Sequence, residues 1–158
     1  MAIEIERRFL VRADGWRAAA DAGTPIQQGY LTPPGGSGPT LRVRLSGEKA
    51  WLTVKSKRTG AARHEFEYPI PAADARNIAE GLCPGGCLEK TRFRVPAGGG
   101  LTWEVDVFGG ENEGLVLAEI ELPAEDAEFD QPEWLGEEIT DDDRYSNAAL
   151  AAHPVGRW

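Results

Sequence analysis

Ile3-Glu4-Ile5-Glu6-Arg7-Arg8-Phe9-Leu10 runs near the start of the chain with a period of two. Side chains alternate across an extended strand, so Glu4, Glu6 and Arg8 share one face, and Ile3, Ile5, Arg7 and Phe9 the other. The polar face carries two acids and a base, with no Ser, Thr or Asn among them. Like charges on one strand face repel unless something separates or neutralises them. At about 3.3 Å of rise per residue, carboxylates two positions apart stand roughly 7 Å from each other, and both can reach hard cations. An adjacent guanidinium can hold the anion that accompanies the metal. Taken alone, such a face fits an ordinary solvated edge strand. Its weight comes from repetition.

Thr40 to Ser46 is the cleanest alternation, with Leu41, Val43 and Leu45 against Arg42 and Arg44. Gly47-Glu48 turns it into Ala50 to Lys57, where Leu52 and Val54 oppose Thr53, Lys55 and Lys57, so the two runs read as a hairpin. His64 to Ile70 sets Glu65 and Glu67 against Phe66 and Tyr68. Leu88 to Val95 aligns Lys90, Arg92 and Arg94, and Leu101 to Phe108 sets Glu104 and Asp106 opposite Trp103, Val105 and Val107. In Leu115 to Leu122, Glu119 and Glu121 oppose Ala118, Ile120 and Leu122. Pro25 opens a further strand, Ile26 to Leu31, containing Gln28 and Tyr30.

Three helices punctuate these strands. Trp16 to Ala22 is Ala-rich, with Asp14 as cap and Gly23 as stop. Pro71 to Leu82 starts at a proline. Asp141 to Ala152 is capped by Thr140 or Asp141, and its Tyr145 and Asn147 are expected to pack it against the rest of the fold. Pro33 to Pro39 reads as a Gly/Pro loop. From Pro123 the chain reads as loop, with a turn around Pro132-Glu133-Trp134-Leu135. Trp51, Trp103 and Trp134 read as core or cover.

Eight alternating strands with three helices predict an α+β, mainly β, architecture: a closed eight-stranded antiparallel barrel within a single domain over residues 1–158. In a small barrel the apolar faces ordinarily fill the interior and the charged faces meet water. The segregation of sign argues for the opposite arrangement. Arg42/Arg44, Lys55/Lys57 and Lys90/Arg92/Arg94 form basic faces, whereas Glu4/Glu6, Glu65/Glu67, Glu104/Asp106 and Glu119/Glu121 form acidic ones. If these faces and Arg8 point inward, the lumen is balanced and the exterior carries the whole net charge of -9. A lumen of paired charges is costly unless ligands and water occupy it. The apolar faces would then be covered by the helices and, in a homodimer, by a second copy.

Composition sets the outer limits. With 41% hydrophobic and 27% charged residues the chain reads as soluble and globular. Its acidic balance disfavours nucleic acid and anionic membranes as partners. No run approaches membrane-spanning length, and the early charges of Met1-Ala2-Ile3-Glu4 do not read as a signal peptide, so a cytoplasmic location is expected. Cys83 and Cys87 flank a Pro-Gly-Gly turn; without export signals, free thiols are the default and a local disulfide the alternative. Two histidines placed as His64 and His153 support no Ser-His-Asp or Cys-His arrangement. No Gly-rich phosphate loop with a following Lys and Ser/Thr is present.

Glu4-Ile5-Glu6-Arg7-Arg8 resembles the N-terminal Glu-x-Glu-x-Lys signature of the CYTH superfamily, the triphosphate tunnel metalloenzymes, with Arg8 in place of the Lys. Arg42/Arg44, Thr53-Val54-Lys55, Glu65/Glu67, Lys90/Arg92, Glu104/Asp106 and Glu119/Glu121 fall in the family's order. Asp143-Arg144-Tyr145-Ser146-Asn147 resembles the ending of short bacterial members, and the pattern is most similar to the small inorganic triphosphatases. The resemblance implies a charged tunnel that hydrolyses inorganic triphosphate to pyrophosphate and phosphate with Mg2+ or Mn2+. Arg8, Arg42, Arg44, Lys55, Lys90 and Arg92 would hold the phosphates. Glu4, Glu6, Glu119 and Glu121 would hold the metal, and Glu4, Glu6 and Lys55 would act in the chemistry. Glu65, Glu67, Glu104 and Asp106 would orient the bases. The alternatives are a class IV-type adenylate cyclase, another organic-triphosphate hydrolase acting on thiamine or nucleoside triphosphates, and a non-catalytic binder of polyphosphate or nucleotides.

Overall fold

The computed structural model describes residues 3–33 and 38–158; residues 34–37 of the Gly/Pro loop lie outside them, as do Met1 and Ala2. Nine strands are described: β1 (Ile3–Val11), β2 (Thr24–Tyr30), β3 (Thr40–Ser46), β4 (Lys49–Lys55), β5 (Ala62–Ile70), β6 (Cys87–Gly98), β7 (Leu101–Phe108), β8 (Val116–Glu121) and β9 (Leu135–Glu138). The first eight pair in the order β1-β5-β4-β3-β2-β6-β7-β8 and return to β1, which closes an antiparallel barrel. Strand β1 is the seam. Its Ile3–Ile5 pair with β5, its Glu6–Leu10 with β8, and its C-terminal end takes up β9.

Two α-helices are described, α1 (Ala72–Gly81) and α2 (Asn147–Ala152), so the expected count of three is corrected. The Trp16 segment is a 3-10 turn over Gly15–Ala19, and Asp14 makes no side-chain cap bond; Trp16 is buried and the Ala run is too short to propagate an α-helix. The expected single helix over Asp141–Ala152 is a 3-10 turn, Asp143–Tyr145, followed by α2. Ser146 lies between them in extended geometry and caps α2 by accepting from the Ala149 N–H. The region after Pro123 contains β9, which hydrophobic alternation did not reveal in four residues, Leu-Gly-Glu-Glu.

The main apolar core lies outside the barrel. Phe9, Trp103, Val105, Ala118 and Ile120 project outward from β1, β7 and β8 and are covered by Trp16, Trp134 and Leu135, with Phe129 packed alongside. On the opposite wall, α1 lays Ala75 and Ile78 over Val43 and Ala50 of β3 and β4. Among the described residues the outer face of β5 has no such cover: Phe66 is 43% and Tyr68 57% exposed.

A third cluster closes one end of the lumen. Leu10, Leu88, Phe108 and Leu117 each sit two residues along from an ionic lumen residue, Arg8, Lys90, Asp106 and Glu119, and therefore on the same strand face. They pack with Ile139 around Leu150 of α2, which is completely buried. The final helix is a stopper inserted into the barrel.

Candidate active site: the charged lumen

Above the stopper is a cavity of about 1100 Å³, and every substrate- and metal-binding residue expected from the sequence lines it. Strand parity accounts for this placement. Glu4, Glu6 and Arg8 of β1 are buried while Ile3, on the other face, is 49% exposed. Arg42 pairs across the ladder with Tyr30 and Thr53, and Arg44 with Gln28, which puts β2, β3 and β4 on one basic wall. The acids of β7 and β8 face each other through the Glu104–Glu119 pair, and Glu6 of β1 lies opposite Glu121.

The most tightly knit part is Asp106, fully buried beneath the cavity. It accepts from Lys90 Nζ at 2.7 Å and from Arg92 Nε and Nη2 at 2.8 and 2.9 Å. Burial alone would raise its carboxyl, but the charges of Arg92 and Lys90 outweigh that and hold it well below the usual range. Burial brings the Lys90 ammonium down to about 7, against the opposing pull of Asp106. Arg92 also reaches Glu104 at 3.2 Å and Glu119 at 3.4 Å.

On the opposite wall, Glu67 accepts from Thr53 Oγ1 at 2.9 Å and Arg42 Nη2 at 3.4 Å, with Glu65 at 4.0 Å from the same guanidinium. Lys55 stands 3.2 Å from Glu4, and burial, then Arg42 and Arg63, lowers its ammonium. Arg44 has no carboxylate partner among the described residues; its Nε donates to Gln28 Oε1 at 3.1 Å. Burial, then the charges of Arg42 and Arg92, takes it down to about 10. Arg8 likewise has no carboxylate partner and spends Nη1 on the Tyr145 carbonyl at 2.8 Å. Its Nε, like that of Arg42, is buried without a hydrogen-bond acceptor.

Sequence reading missed two contributors. Arg58 reaches Glu6 at 3.5 Å, and Arg63 lies 3.7 Å from Glu6 and 3.9 Å from Glu4. Arg63 shares a face with Glu65 and Glu67, but the expected strand began one residue later, at His64. Arg94, near the end of its expected strand and not among the expected ligands, sits outside the cavity and is largely exposed. Lys57 lines the mouth but is exposed. With Arg144 and Asp143 included the lining holds ten basic and eight acidic residues, and Asp106 behind it adds a ninth acid, so the expected balance of acids and bases is corrected to a slight local excess of positive charge. Cys83 and Cys87 are free.

The carboxylates leave room for a cation. Glu6 is raised by burial, then by its contact with Glu4; Glu121 is raised by burial, then by Glu4 and Glu104. Both shifts come first from burial and then from neighbouring carboxylates, so these acids stand close to like charge in a desolvated site. Glu4 Oε2 is buried without a hydrogen bond, its approach to Lys55 being an ion pair only. Among the described residues no three metal-ligating side chains converge into a ready-made cage. Small hard cations take one or two carboxylates and fill the remaining positions with substrate oxygens and water, a requirement this set fits.

Residues 2–149 match the CYTH domain. The chain belongs to the CYTH family. It is 46% identical over 154 residues to an inorganic triphosphatase of Acetivibrio thermocellus, covering 98% of this chain and 96% of that one. An inorganic triphosphatase of Nitrosomonas europaea is 42% identical, with 94% and 96% covered. Among solved structures, that of an inorganic triphosphatase superposes with a TM-score of 0.66 at 38% identity, over 94% of this chain and 97% of that one. A putative adenylyl cyclase from Hippeastrum shares the fold at 16% identity and a TM-score of 0.54, covering 78% of this chain and 80% of its own.

Proposed function

We propose that this CYTH protein hydrolyses inorganic triphosphate to pyrophosphate and phosphate inside the lumen, the whole chain acting as one catalytic unit. The observation that carries the reading is the pair of cavity-lining guanidiniums, Arg8 and Arg44, that have no carboxylate partner among the described residues. A buried cation without a counter-charge is costly, and a polyanion in the cavity supplies what is missing. The two triphosphatase relatives at 42–46% identity support the same substrate.

Arg8, Arg42, Arg44, Lys90 and Arg92 bind the non-bridging oxygens, with Asp106, Glu67 and Glu104 fixing the bases in place. Glu4, Glu6, Glu119 and Glu121 hold Mg2+ or Mn2+. The bound cation supplies charge neutralisation and Lewis-acid polarisation of the phosphate chain. Glu6 also accepts the proton of a water attacking in line at the terminal phosphorus, with Glu4 beside it. Lys55, beside Glu4, faces the charge that builds on the phosphoryl oxygens.

A triphosphate panel read by phosphate release tests this. Turnover of tripolyphosphate that requires Mg2+ or Mn2+ is expected. Cyclic AMP from ATP would instead mark a cyclase, and tight calorimetric binding without phosphate release would mark a non-catalytic binder.

A further inference from the structure

We infer that Asn147 of the stopper helix is a substrate-binding residue, its side-chain nitrogen donating to a non-bridging phosphate oxygen at the closed end of the lumen. This deepens the triphosphate reading above and rests on it.

The orientation of the amide follows from neighbours that can only donate. Arg44 carries no acceptor, so the Gln28 atom facing its Nε at 3.1 Å is Oε1. Gln28 Nε2 therefore points the other way, to Tyr30 Oη at 2.9 Å and to Asn147 at 3.0 Å. The Lys90 ammonium meets the same Asn147 atom at 2.8 Å. Two donors converging on one atom make it Oδ1. The Asn147 amide nitrogen is then turned away from both, has no acceptor among the described residues, and belongs to a residue lining the cavity.

The stopper holds this donor in place. Leu150, three residues on and on the same helix face, is locked in the apolar plug. Asn112 Nδ2 donates to the Leu150 carbonyl at 3.2 Å, and Arg8 ties down Tyr145 at the other end. A donor already fixed loses little freedom when substrate arrives. Being neutral, it adds a directed bond where Arg44, Lys90 and Arg92 already crowd each other.

Asn147→Ala and Asn147→Asp separate this role from a purely structural one. N147D keeps an oxygen for Lys90 and Gln28, and so keeps the network, but has no N–H to offer a phosphate. A bond from a neutral donor to a charged oxygen corresponds to about 10- to 100-fold in affinity. The expected result is a KM for tripolyphosphate raised by about that factor in N147A and at least as far in N147D, with kcat changed less. Calorimetric affinities should follow the same order, and N147D should melt no lower than N147A. N147D outperforming N147A, or a wild-type KM in both, would overturn the inference while leaving the triphosphatase reading intact. A wild-type protein that neither binds nor hydrolyses tripolyphosphate would overturn both.

Discussion

Replacing Asp106 by Asn removes a negative charge and little volume from the best-satisfied buried group in the lumen. Asp106 is 0% exposed and compensates Lys90 and Arg92 through three hydrogen bonds of 2.7–2.9 Å. Its loss leaves Lys90 without a carboxylate and Arg92 with only its contacts to Glu104 and Glu119, and breaking a buried pair from one side costs about 3–5 kcal/mol. For 158 residues, at about 2.1 cal/mol/K per residue of unfolding entropy, that corresponds to a drop in Tm of roughly 9–15 °C. The acid limb should change as well. A carboxyl held low in the folded state contributes stability that is complete above its unfolded pKa of about 3.9 and drains away as the pH falls below it. The wild type should therefore lose stability below about pH 4 more steeply than D106N. Tripolyphosphate, by supplying Lys90 and Arg92 with a replacement anion, should raise the Tm of D106N more than that of the wild type. Calorimetry at pH 7 and pH 3 checks all three expectations. A D106N protein melting within a degree or two of the wild type would refute the assignment of Asp106 as the counter-charge on which this wall of the lumen depends.

Glu6→Gln should cut phosphate release from tripolyphosphate by at least about 100-fold, since it removes both a metal ligand and the proposed proton acceptor; steady-state rates with Mg2+ measure it. Chelation with EDTA should abolish turnover but leave the Tm within a few degrees, because protein ion pairs and the outer core hold the barrel without metal. Lys90 is charged below about 7, so the KM for tripolyphosphate should rise as pH climbs past neutrality, and Lys90→Arg, which stays protonated, should flatten that rise. Gly29→Ala would set a methyl 2.7 Å from Cys83 Sγ and 3.0 Å from Cys87 Sγ, an overpacking worth about 1–3 kcal/mol; combining it with Cys83→Ala should recover much of the loss in denaturant titrations.

Legibility in the sequence followed the strength of local signals. Strands β3 and β7 match their expected bounds because alternation runs the length of β3 and through β7 as far as Val107, with Gly109 marking the stop. Inward-facing charges were readable because sign was segregated strand by strand, a pattern that solvation alone does not require. Arg63 was lost through one residue of uncertainty in where β5 begins, which left it off the face that parity assigned. β9 carries no periodicity and exists because the second half of β1 needs a partner, a tertiary demand invisible locally. The stopper was misread for a related reason: α2 looked like a cover because nothing in Asn147-Ala148-Ala149-Leu150 reveals that the barrel's own leucines await it. Asn147 appeared as packing, and only the neighbouring donors show which way its amide is turned.

The seam strand has a consequence for how the protein comes into being. Residues 3–11 find their partners around residues 62–64, 117–121 and 135–138, so this strand is synthesised before any of its partners and is among the last whose edges are satisfied. Such distant pairings make closure slow, and until it happens a strand bearing Ile5, Phe9 and Leu10 stays open to wrong neighbours. The acids and arginine that serve the lumen in the finished barrel would also keep that waiting edge soluble during synthesis.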